Sequence, residues 1–143
     1  MQVREIMTKN PECCGENSSA LEVARMMADC DCGEIPVVDD HGRPVGVVTD
    51  RDIALRVVAA GKEPRETDAR QIMSTPVITV APESSIEELC RIAEEHQIRR
   101  IPVVNEKGEI CGIVAQADIA RKVPEVVTGG MVKDVSQPAS RAH

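Results

Sequence analysis

An internal duplication constrains this chain more than any other feature. The phrase EIPVV around Pro36 returns as RIPVV around Pro102, an offset of 66 residues (102 − 36). At the same offset, Ile6-Met7 matches Ile72-Met73, and the phrase DIA that begins at Asp52 returns at Asp118. No gap is needed across about fifty residues. The 143 residues are therefore expected to form one pseudo-symmetric domain built from two similar units.

Each copy predicts the same order of elements: strand, helix, strand, strand, helix. Ser19 and Ser85 each stand three residues before a glutamate, which is typical of a capping box that opens a helix. A short β-branched run follows each helix, then a polar turn containing Gly42 or Gly108, then a second apolar run, which indicates a hairpin. The fold class is α/β, with two tandem β-α-β-β-α repeats. The buried faces of the first helices are predicted as Leu21, Ala24 and Met27 in copy one and Ile86, Leu89, Ile92 and Ala93 in copy two.

Glycine and proline mark the boundaries between four segments. Repeat 1 is predicted over residues 1–60, and a linker with Gly61 and Pro64 over residues 61–68. Repeat 2 is predicted over residues 69–123. In the tail, residues 124–143, the pattern decays into Gly, Ser and Pro, and at most one short helix is expected there.

Composition excludes nucleic acid as an expected partner. The chain has no Phe, Trp or Tyr, so its core must be aliphatic, and stacking of bases on aromatic rings is ruled out. There are 17 basic and 24 acidic residues, a net charge of −7. That sign opposes contact with a phosphate backbone.

The six cysteines are expected to be reduced packing residues. No apolar run reaches the roughly 20 residues that cross a bilayer, and the N-terminus lacks the apolar segment of a signal peptide, so a cytoplasmic location without membrane contact is expected. Thiols are normally reduced there. No two cysteines form a C-x-x-C pair, and no metal-ligand motif is recognised. A thiol or metal cluster built from Cys13, Cys14, Cys30 and Cys32 remains the alternative.

The phrase GVVTDRDIA, residues 46–54, supports two interpretations. Thr49 and Asp52 have the spacing of a capping box, with Asp in place of Glu. A hydroxyl and a carboxylate at a helix start can also hold a ligand, and the two roles are compatible. The second copy reads GIVAQADIA, so Ala115 replaces the threonine while Asp118 keeps the carboxylate. One good site and one doubtful site are expected.

These motifs together resemble a tandem pair of CBS (cystathionine β-synthase) domains, the Bateman module. The resemblance covers roughly residues 1–122, and several motifs recur in order in both copies. It is strongest to small stand-alone bacterial two-CBS proteins, including the hypoxic response protein type, which share the TDRDI phrase and the EEHQIRRIPV phrase at residues 94–103. The resemblance implies an α/β fold with two clefts between the repeats and a homodimer. It further implies binding of adenosine compounds such as AMP, ATP or S-adenosylmethionine, without catalysis.

The resemblance also implies roles for individual residues. The motif that binds ribose and phosphate in the family maps onto Gly46, Thr49 and Asp52, with Asp118 as the second carboxylate. Cations that hold phosphate map onto Arg99 and Arg100, and Arg51 is a further candidate; a solvated helix end is the alternative for the two neighbouring arginines. The strands that would contact an adenine through backbone groups and aliphatic walls are Ile35-Pro36-Val37 and Ile101-Pro102-Val103.

Three hypotheses about function follow. The first is a non-enzymatic regulatory module that senses an adenine nucleotide or a related nucleoside and has no other cofactor. The second is a thiol- or metal-dependent redox-responsive protein. The third is an interaction module with no ligand. An enzyme is not expected, because no nucleophile and base are paired and no phosphate-binding glycine loop is present. The downstream protein partner cannot be named from the sequence.

Overall fold

The computed structural model describes residues 1–122. The predicted tail, with its short helix, and the last residue of predicted repeat 2 lie outside the described residues. The strands and α-helices, in chain order, are β1 Thr8–Lys9, β2 Cys14–Gly15, α1 Ala20–Cys30, β3 Glu34–Val38, β4 Pro44–Thr49, α2 Asp50–Ile53, α3 Ala69–Ile72, α4 Ile86–His96, β5 Arg100–Val104, β6 Ile110–Ala115 and α5 Gln116–Lys122. Short 3₁₀ turns cover Val3–Glu5 and Pro64–Glu66, and a π-helical turn, Ala54–Val58, continues α2. The structure is mixed α/β, as predicted.

The chain forms two compact units that do not coincide with the two sequence repeats. Unit 2 is Glu12–Val77, and unit 1 combines Met1–Pro11 with the described residues from Ile78 onward. The first eleven residues therefore belong to the unit that contains the second hairpin, and α3 belongs to the unit that contains the first hairpin. Each unit completes itself with a segment from the other sequence copy.

The two sheets differ in where their third strand pairs, and single bridges supply the missing equivalents, Ser74 with Val47 in unit 2 and Val80 with Val103 in unit 1. In unit 2, β3 pairs antiparallel with β4 and parallel with β2; in unit 1, β5 pairs antiparallel with β6, which also pairs with β1. The borrowed segments occupy equivalent edges, because Thr8 pairs with Ile113 and Ser74 bridges Val47, and both pairs are related by the offset of 66. The duplication seen in the sequence is therefore repeated in the hydrogen-bonding pattern.

The first helix of each copy begins at the predicted cap. Ser19 Oγ accepts a hydrogen bond from the Glu22 N–H at 3.1 Å, and Ser85 Oγ accepts from the Glu88 N–H at 3.1 Å. The predicted buried face of α4 is largely confirmed, with Cys90 buried in addition and Ile92 only partly buried.

The predicted buried face of α1 is wrong by one residue at two of its three positions. The buried residues are Ala20, Val23 and Met27, which are the positions equivalent to Ile86, Leu89 and Ala93 of α4. Because alanine is a weak hydrophobic signal, Ala20 was not recognised as the first buried residue of this face. Alignment with α4 at the offset of 66 would have identified it.

Each unit has its own aliphatic core. The core of unit 2 packs α1 and α3 on the β3–β4 hairpin, and that of unit 1 packs α4 and the Val3–Glu5 turn on the β5–β6 hairpin. The fully buried side chains are almost all Ile, Leu and Val, as a chain without aromatic residues requires. The close packing of each core fixes the position of its hairpin. Helix α2 begins at the end of the first hairpin, and α5 begins at the end of the second.

Candidate functional site

Helix α2 begins with two reciprocal hydrogen bonds between Thr49 and Asp52. The Asp52 N–H donates to Thr49 Oγ1 at 3.0 Å, and the Thr49 N–H donates to Asp52 Oδ2 at 2.9 Å. This capping box satisfies two N–H groups that a helix start otherwise leaves without partners. The predicted capping role is confirmed. The role of the same side chains in holding a ribose stays a prediction.

The Asp52 carboxylate is 6% exposed and has further partners. The Ser74 hydroxyl donates to it, lying 3.0 Å from Oδ1 and 3.1 Å from Oδ2. Arg56 Nε lies 3.8 Å from Oδ1, while Arg56 Nη1 donates to the carbonyl oxygens of Ile72 at 3.0 Å and Met73 at 2.9 Å. A buried carboxylate needs such partners to offset its desolvation. Asp52 therefore ties the segment of residues 72–74 to the start of α2.

Gly46 lies where this segment passes closest to β4. A β-carbon at Gly46 would lie 2.7 Å from Met73 Sδ and 3.0 Å from the carbonyl oxygen of Ser74. At Gly112 of β6, the corresponding distances to Met7 Sδ and the Thr8 carbonyl oxygen are 2.6 Å and 3.1 Å. The close approach of the borrowed segment accounts for the glycine in both copies of the phrase.

Helix α5 begins with only half of this arrangement. The Ala115 N–H donates to Asp118 Oδ2 at 2.8 Å, and no hydroxyl is present to return the bond. Asp118 is 4% exposed, and its Oδ1 accepts a hydrogen bond from Arg121 Nη2 at 2.8 Å. Lys122 Nζ donates to the carbonyl oxygen of Ile6 at 3.1 Å, as Arg56 does to Ile72 in unit 2. The second copy thus keeps a basic side chain that binds the borrowed segment, and it lacks the hydrogen bond that the threonine hydroxyl accepts in the first copy.

Arg99 and Arg100 lie beside the start of α5. The Cα of Arg100 pairs with that of Ala115 across the hairpin, and the Gln116 N–H donates to the Arg99 carbonyl oxygen at 2.8 Å. Arg100 Nε is buried and has no hydrogen-bond acceptor among residues 1–122. Buried N–H groups in proteins nearly always have an acceptor. The Arg100 guanidinium is therefore suited to bind an anionic group whose oxygen would act as the acceptor for Nε.

The equivalent position in unit 2 carries the opposite charge. Gly33 and Glu34 stand where unit 1 has Arg99 and Arg100. The Gly33 carbonyl oxygen accepts from the Asp50 N–H at 2.9 Å, and Glu34 pairs with Thr49 across the hairpin.

The charged side chains at the two helix starts therefore differ in number and sign. Around the start of α2 stand three carboxylates and two guanidiniums: Glu34, Asp50, Asp52, Arg51 and Arg56. Among residues 1–122, the corresponding positions at α5 carry one carboxylate and four basic groups: Asp118, Arg99, Arg100, Arg121 and Lys122. Coulomb interactions will favour an anionic ligand group at the start of α5 only.

The remaining predicted site residues differ in exposure. Arg51 is exposed on α2 and belongs to unit 2, whereas Arg99 and Arg100 belong to unit 1. The predicted adenine-contacting residues are buried in β3 and β5, namely Ile35, Pro36, Val37, Ile101, Pro102 and Val103. The side chains of Ile35, Val37, Ile101 and Val103 belong to the two cores, so aliphatic contact with an adenine is not favoured at these four residues. These contacts stay a prediction.

The cysteines are divided into two kinds. Cys30 and Cys32 form a disulfide, and Cys30 is exposed, so the expectation of reduced packing residues is wrong for this pair. Burial, with a contribution from Cys13, raises the pKa of the Cys14 thiol to about 11. Burial also raises the pKa values of Cys13, Cys90 and Cys111. These four thiols are protonated at neutral pH and are poor nucleophiles.

The alternative of a metal cluster built from Cys13, Cys14, Cys30 and Cys32 has no support within the described residues. Within residues 1–122, no group of three or more His, Cys, Asp or Glu side chains is arranged to hold a metal ion.

A groove of about 420 Å³ in unit 2 has none of the predicted ligand-binding residues in its lining. Its lining consists of Gly15, Glu16, Asn17, Ser18, Glu22, Val38, Asp39, Asp40 and Arg70. Four carboxylates against one guanidinium make it unsuited to a phosphate.

No helix in the described part of the chain is long and apolar enough to span a lipid bilayer.

Comparison with protein families identifies the fold. The family model for the CBS domain matches twice, over residues 3–59 and 69–125. The chain belongs to the CBS domain family. This tandem CBS chain is 37% identical to hypoxic response protein 1 of Mycobacterium tuberculosis (strain CDC 1551 / Oshkosh) over 139 residues, which cover 97% of this chain and 96% of the relative.

Solved structures agree with this assignment. The crystal structure of Hypoxic Response Protein I with two coordinated zinc ions matches with a TM-score of 0.80 and 37% identity, covering 87% of this chain and all of the other. The CBS domain pair of protein MJ0100, solved with 5′-methylthioadenosine and S-adenosyl-L-methionine, matches with a TM-score of 0.74 and 29% identity over 85% of this CBS pair and 94% of that chain.

Sequence reasoning missed two residues that hold the start of α2. Ser74 donates a hydrogen bond to Asp52, and Arg56 pairs with Asp52 and donates to the carbonyl oxygen of Ile72. Neither residue belongs to the phrase GVVTDRDIA, residues 46–54. The repeat offset contained a signal for both. Position 74 matches Thr8, another hydroxyl, and position 56 matches Lys122, another cation.

Proposed function

We propose that this CBS domain pair is a non-catalytic regulatory module that binds adenosine-containing compounds, with AMP, ADP and ATP as the phosphate-bearing candidates. The observation that carries the proposal is the buried Nε of Arg100, which has no acceptor among residues 1–122 although Arg99 and the start of α5 lie beside it. A phosphate oxygen would satisfy this donor with a charge-assisted hydrogen bond.

The start of α5 is proposed as the subsite for the phosphate. Arg99 and Arg100 are joined there by Arg121 and Lys122, and one carboxylate, Asp118, stands among them. Asp118 already binds the Ala115 N–H and Arg121, so its main effect is to orient a cation rather than to repel the ligand. Guanidinium groups bind phosphate oxygens in pairs, which gives direction as well as affinity.

The start of α2 is proposed as the subsite for a nucleoside without phosphate. The Thr49 hydroxyl accepts from the Asp52 N–H and keeps its own O–H to donate to a ligand. A ribose hydroxyl that bonds Asp52 would take the place of the Ser74 hydroxyl, a one-for-one exchange at a buried carboxylate. Glu34 and Asp50 nearby would favour a neutral or positively charged compound, of which S-adenosylmethionine is one.

The MJ0100 domain pair supports this class of ligand, because its structure contains 5′-methylthioadenosine and S-adenosyl-L-methionine at 29% identity to this chain. The buried strands β3 and β5 would hold an adenine through backbone groups of Ile35 to Val37 and Ile101 to Val103. Arg51, exposed on α2, would contact the outer part of a ligand in unit 2.

A homodimer is part of the proposal. Leu55 and Val58, on the π-helical turn after α2, are 49% and 71% exposed. A second copy that covered them would remove apolar surface from water. Light scattering of the Leu55→Asp/Val58→Asp variant should show a monomer where the parent chain shows a dimer. A parent chain that is already monomeric at micromolar concentration would contradict this part. The proposed location is the cytoplasm.

Isothermal titration calorimetry with ATP, AMP, adenosine and S-adenosylmethionine tests the ligand class. We expect ATP and AMP to bind more tightly than adenosine, and Arg99→Gln/Arg100→Gln to remove that preference. Arg91→Gln is the matched control, since Arg91 lies on the exposed face of α4 in the same unit and pairs with Glu88 and Glu95. Absence of heat from all four compounds at millimolar concentration would reject the proposed function.

A further inference from the structure

The disulfide between Cys30 and Cys32 lies at the corner between α1 and β3. Cys30 is the last residue of α1, and Asp31 ends the helix in the left-handed conformation, with φ 51° and ψ 51°. The Cys32 N–H still donates to the Met27 carbonyl oxygen at 3.1 Å, so the corner is held by the backbone as well as by the disulfide. The two sulfurs thus bridge the turn by which the chain leaves the helix.

This corner is connected to the start of α2 through a single residue. Cys32 is followed by Gly33, whose carbonyl oxygen accepts from the Asp50 N–H at 2.9 Å. Asp50 is the first residue of α2 and stands next to Thr49 of the capping box. Gly33 also packs against the Asp50 side chain, since a β-carbon there would lie 2.9 Å from Asp50 Oδ2. A change in the position of Cys32 therefore reaches the proposed nucleoside subsite directly.

The two sulfurs differ in accessibility. Cys30 is exposed, whereas Cys32 is half-buried and packs against the core of unit 2. A small thiol or disulfide from solution can therefore reach Cys30, and Cys32 is the neighbour that completes the exchange. Cytoplasmic disulfides are most often transient or redox-sensing.

We infer that Cys30 and Cys32 form a reversible dithiol–disulfide switch that sets the geometry at the start of α2 and thereby the affinity of the nucleoside subsite. The last clause rests on the proposed function. The oxidant is a low-molecular-weight disulfide, RSSR. The Cys30 thiolate attacks one sulfur of RSSR and releases RS⁻, and the Cys32 thiolate then attacks Cys30 Sγ and releases a second RS⁻. Two protein thiols lose two electrons and two protons, and RSSR gains both to become two RSH.

The switch is tested by hydrogen exchange on oxidised and dithiothreitol-reduced protein. The Asp50 amide is the reporter. The Gln116 amide is a matched internal control, because it donates to the Arg99 carbonyl oxygen at 2.8 Å in the equivalent position of unit 1. Residues 98–118 contain a single cysteine, Cys111, so no disulfide can form within that segment. We expect the Asp50 amide to exchange about fivefold more slowly in the oxidised form, a factor at the lower end of ordinary coupling between sites. The exchange rate of the Gln116 amide should be the same in the two forms.

Variants and thiol counting complete the test. Mass spectrometry after alkylation in denaturant should find four reactive thiols in the oxidised chain and six in the reduced chain, because the chain has six cysteines and one disulfide. Cys32→Ser should show the reduced-form exchange rate at Asp50 with or without oxidised glutathione, whereas Cys111→Ser should behave like the parent chain. Six reactive thiols after treatment with oxidised glutathione, or equal exchange at Asp50 in both forms, would overturn the switch.

The affinity for S-adenosylmethionine separates this inference from the proposed function. We expect binding to be about fivefold tighter in the oxidised form. Equal affinity in the two forms would overturn the link between the disulfide and the subsite. Absence of S-adenosylmethionine binding in both forms, together with the expected difference at the Asp50 amide, would reject the proposed nucleoside subsite and support the switch.

Discussion

The starts of α2 and α5 carry two copies of one repeated phrase and differ in both hydrogen bonding and charge. At α2, Thr49 and Asp52 exchange two hydrogen bonds, and Ser74 donates to both carboxylate oxygens. At α5, Asp118 accepts from the Ala115 N–H and from Arg121, and the hydroxyl is absent. The carboxylate is kept in both copies because it is buried at the helix start in both.

The difference teaches which part of the phrase serves the fold and which part is open to change. The glycine and the aspartate have the same structural reasons in both copies: close approach of the borrowed segment and closure of the helix start. The threonine and the first residues of β3 and β5 do not, because Thr49 is matched by Ala115 and Glu34 is matched by Arg100. The strand starts thus carry opposite charge in the two copies, and we propose that they determine ligand selectivity.

The largest expected effect concerns the basic start of α5. Arg99→Gln/Arg100→Gln should weaken ATP binding about a hundredfold and leave adenosine binding nearly unchanged, because each hydrogen bond to a charged group contributes roughly 1.5–3 kcal/mol. Calorimetric titration of both ligands measures this, with Arg91→Gln as the control. A similar loss for adenosine would mean that the two arginines act through the fold of unit 1.

The next effect compares the two buried carboxylates. Asp52→Ala should lower the free energy of unfolding by about 2–3 kcal/mol, since it leaves the Thr49 N–H and the Ser74 hydroxyl without an acceptor. Asp118→Ala should cost less, about 1 kcal/mol, because it removes the acceptor of the Ala115 N–H, whereas Arg121 is largely exposed and can turn to water. Urea unfolding of each variant gives both values. Equal losses would show that Ser74 does not distinguish the two sites.

A smaller effect concerns what the two copies share. Gly46→Ala and Gly112→Ala should each destabilise the protein by about 1–3 kcal/mol, because the new methyl group meets a methionine sulfur and a backbone carbonyl oxygen. Thermal unfolding should show similar losses for both. A neutral result at either position would remove close packing as the reason for that glycine.

The smallest effect concerns the hydroxyl. Thr49→Ala should cost about 1 kcal/mol, and Ala115→Thr should recover up to about as much at the start of α5. Urea unfolding of the two single variants and of the double variant is the measurement, and the double variant should be close to the parent chain. Ala115→Thr would contradict the comparison if it destabilised the protein, since α5 should accept the missing cap.

Much of the fold was predictable because the duplication offered every local signal twice. The caps at Ser19 and Ser85, the turn glycines Gly42 and Gly108, and both hairpins follow from spacing and turn chemistry. The exchange of segments was not predictable, because a two-residue strand such as β1 carries too little periodicity to show which hairpin it pairs with. The repeat boundaries in the sequence do not reveal it either.

The candidate site was predictable only in part. The Thr49–Asp52 cap follows from local spacing, but the Ser74 hydroxyl comes from 22 residues away and depends on the exchanged segment. The Cys30–Cys32 disulfide was not expected, since the sequence offers no C-x-x-C pair, and a spacing of one residue is a weak signal. The opposite charges of the two helix starts were visible in the sequence, yet only the strand pairings place Glu34 and Arg100 beside them.

Chemical-shift mapping of backbone amides tests the central claim most directly, because it reports both helix starts in one titration. The account predicts that ATP shifts the amides of Arg99, Arg100 and Asp118 first, and that S-adenosylmethionine shifts those of Thr49 and Asp52 first. Identical sets of shifted amides for the two ligands would contradict the assignment of opposite charge preferences to the two copies. Shifts at neither helix start would contradict the assignment of ligand binding to them.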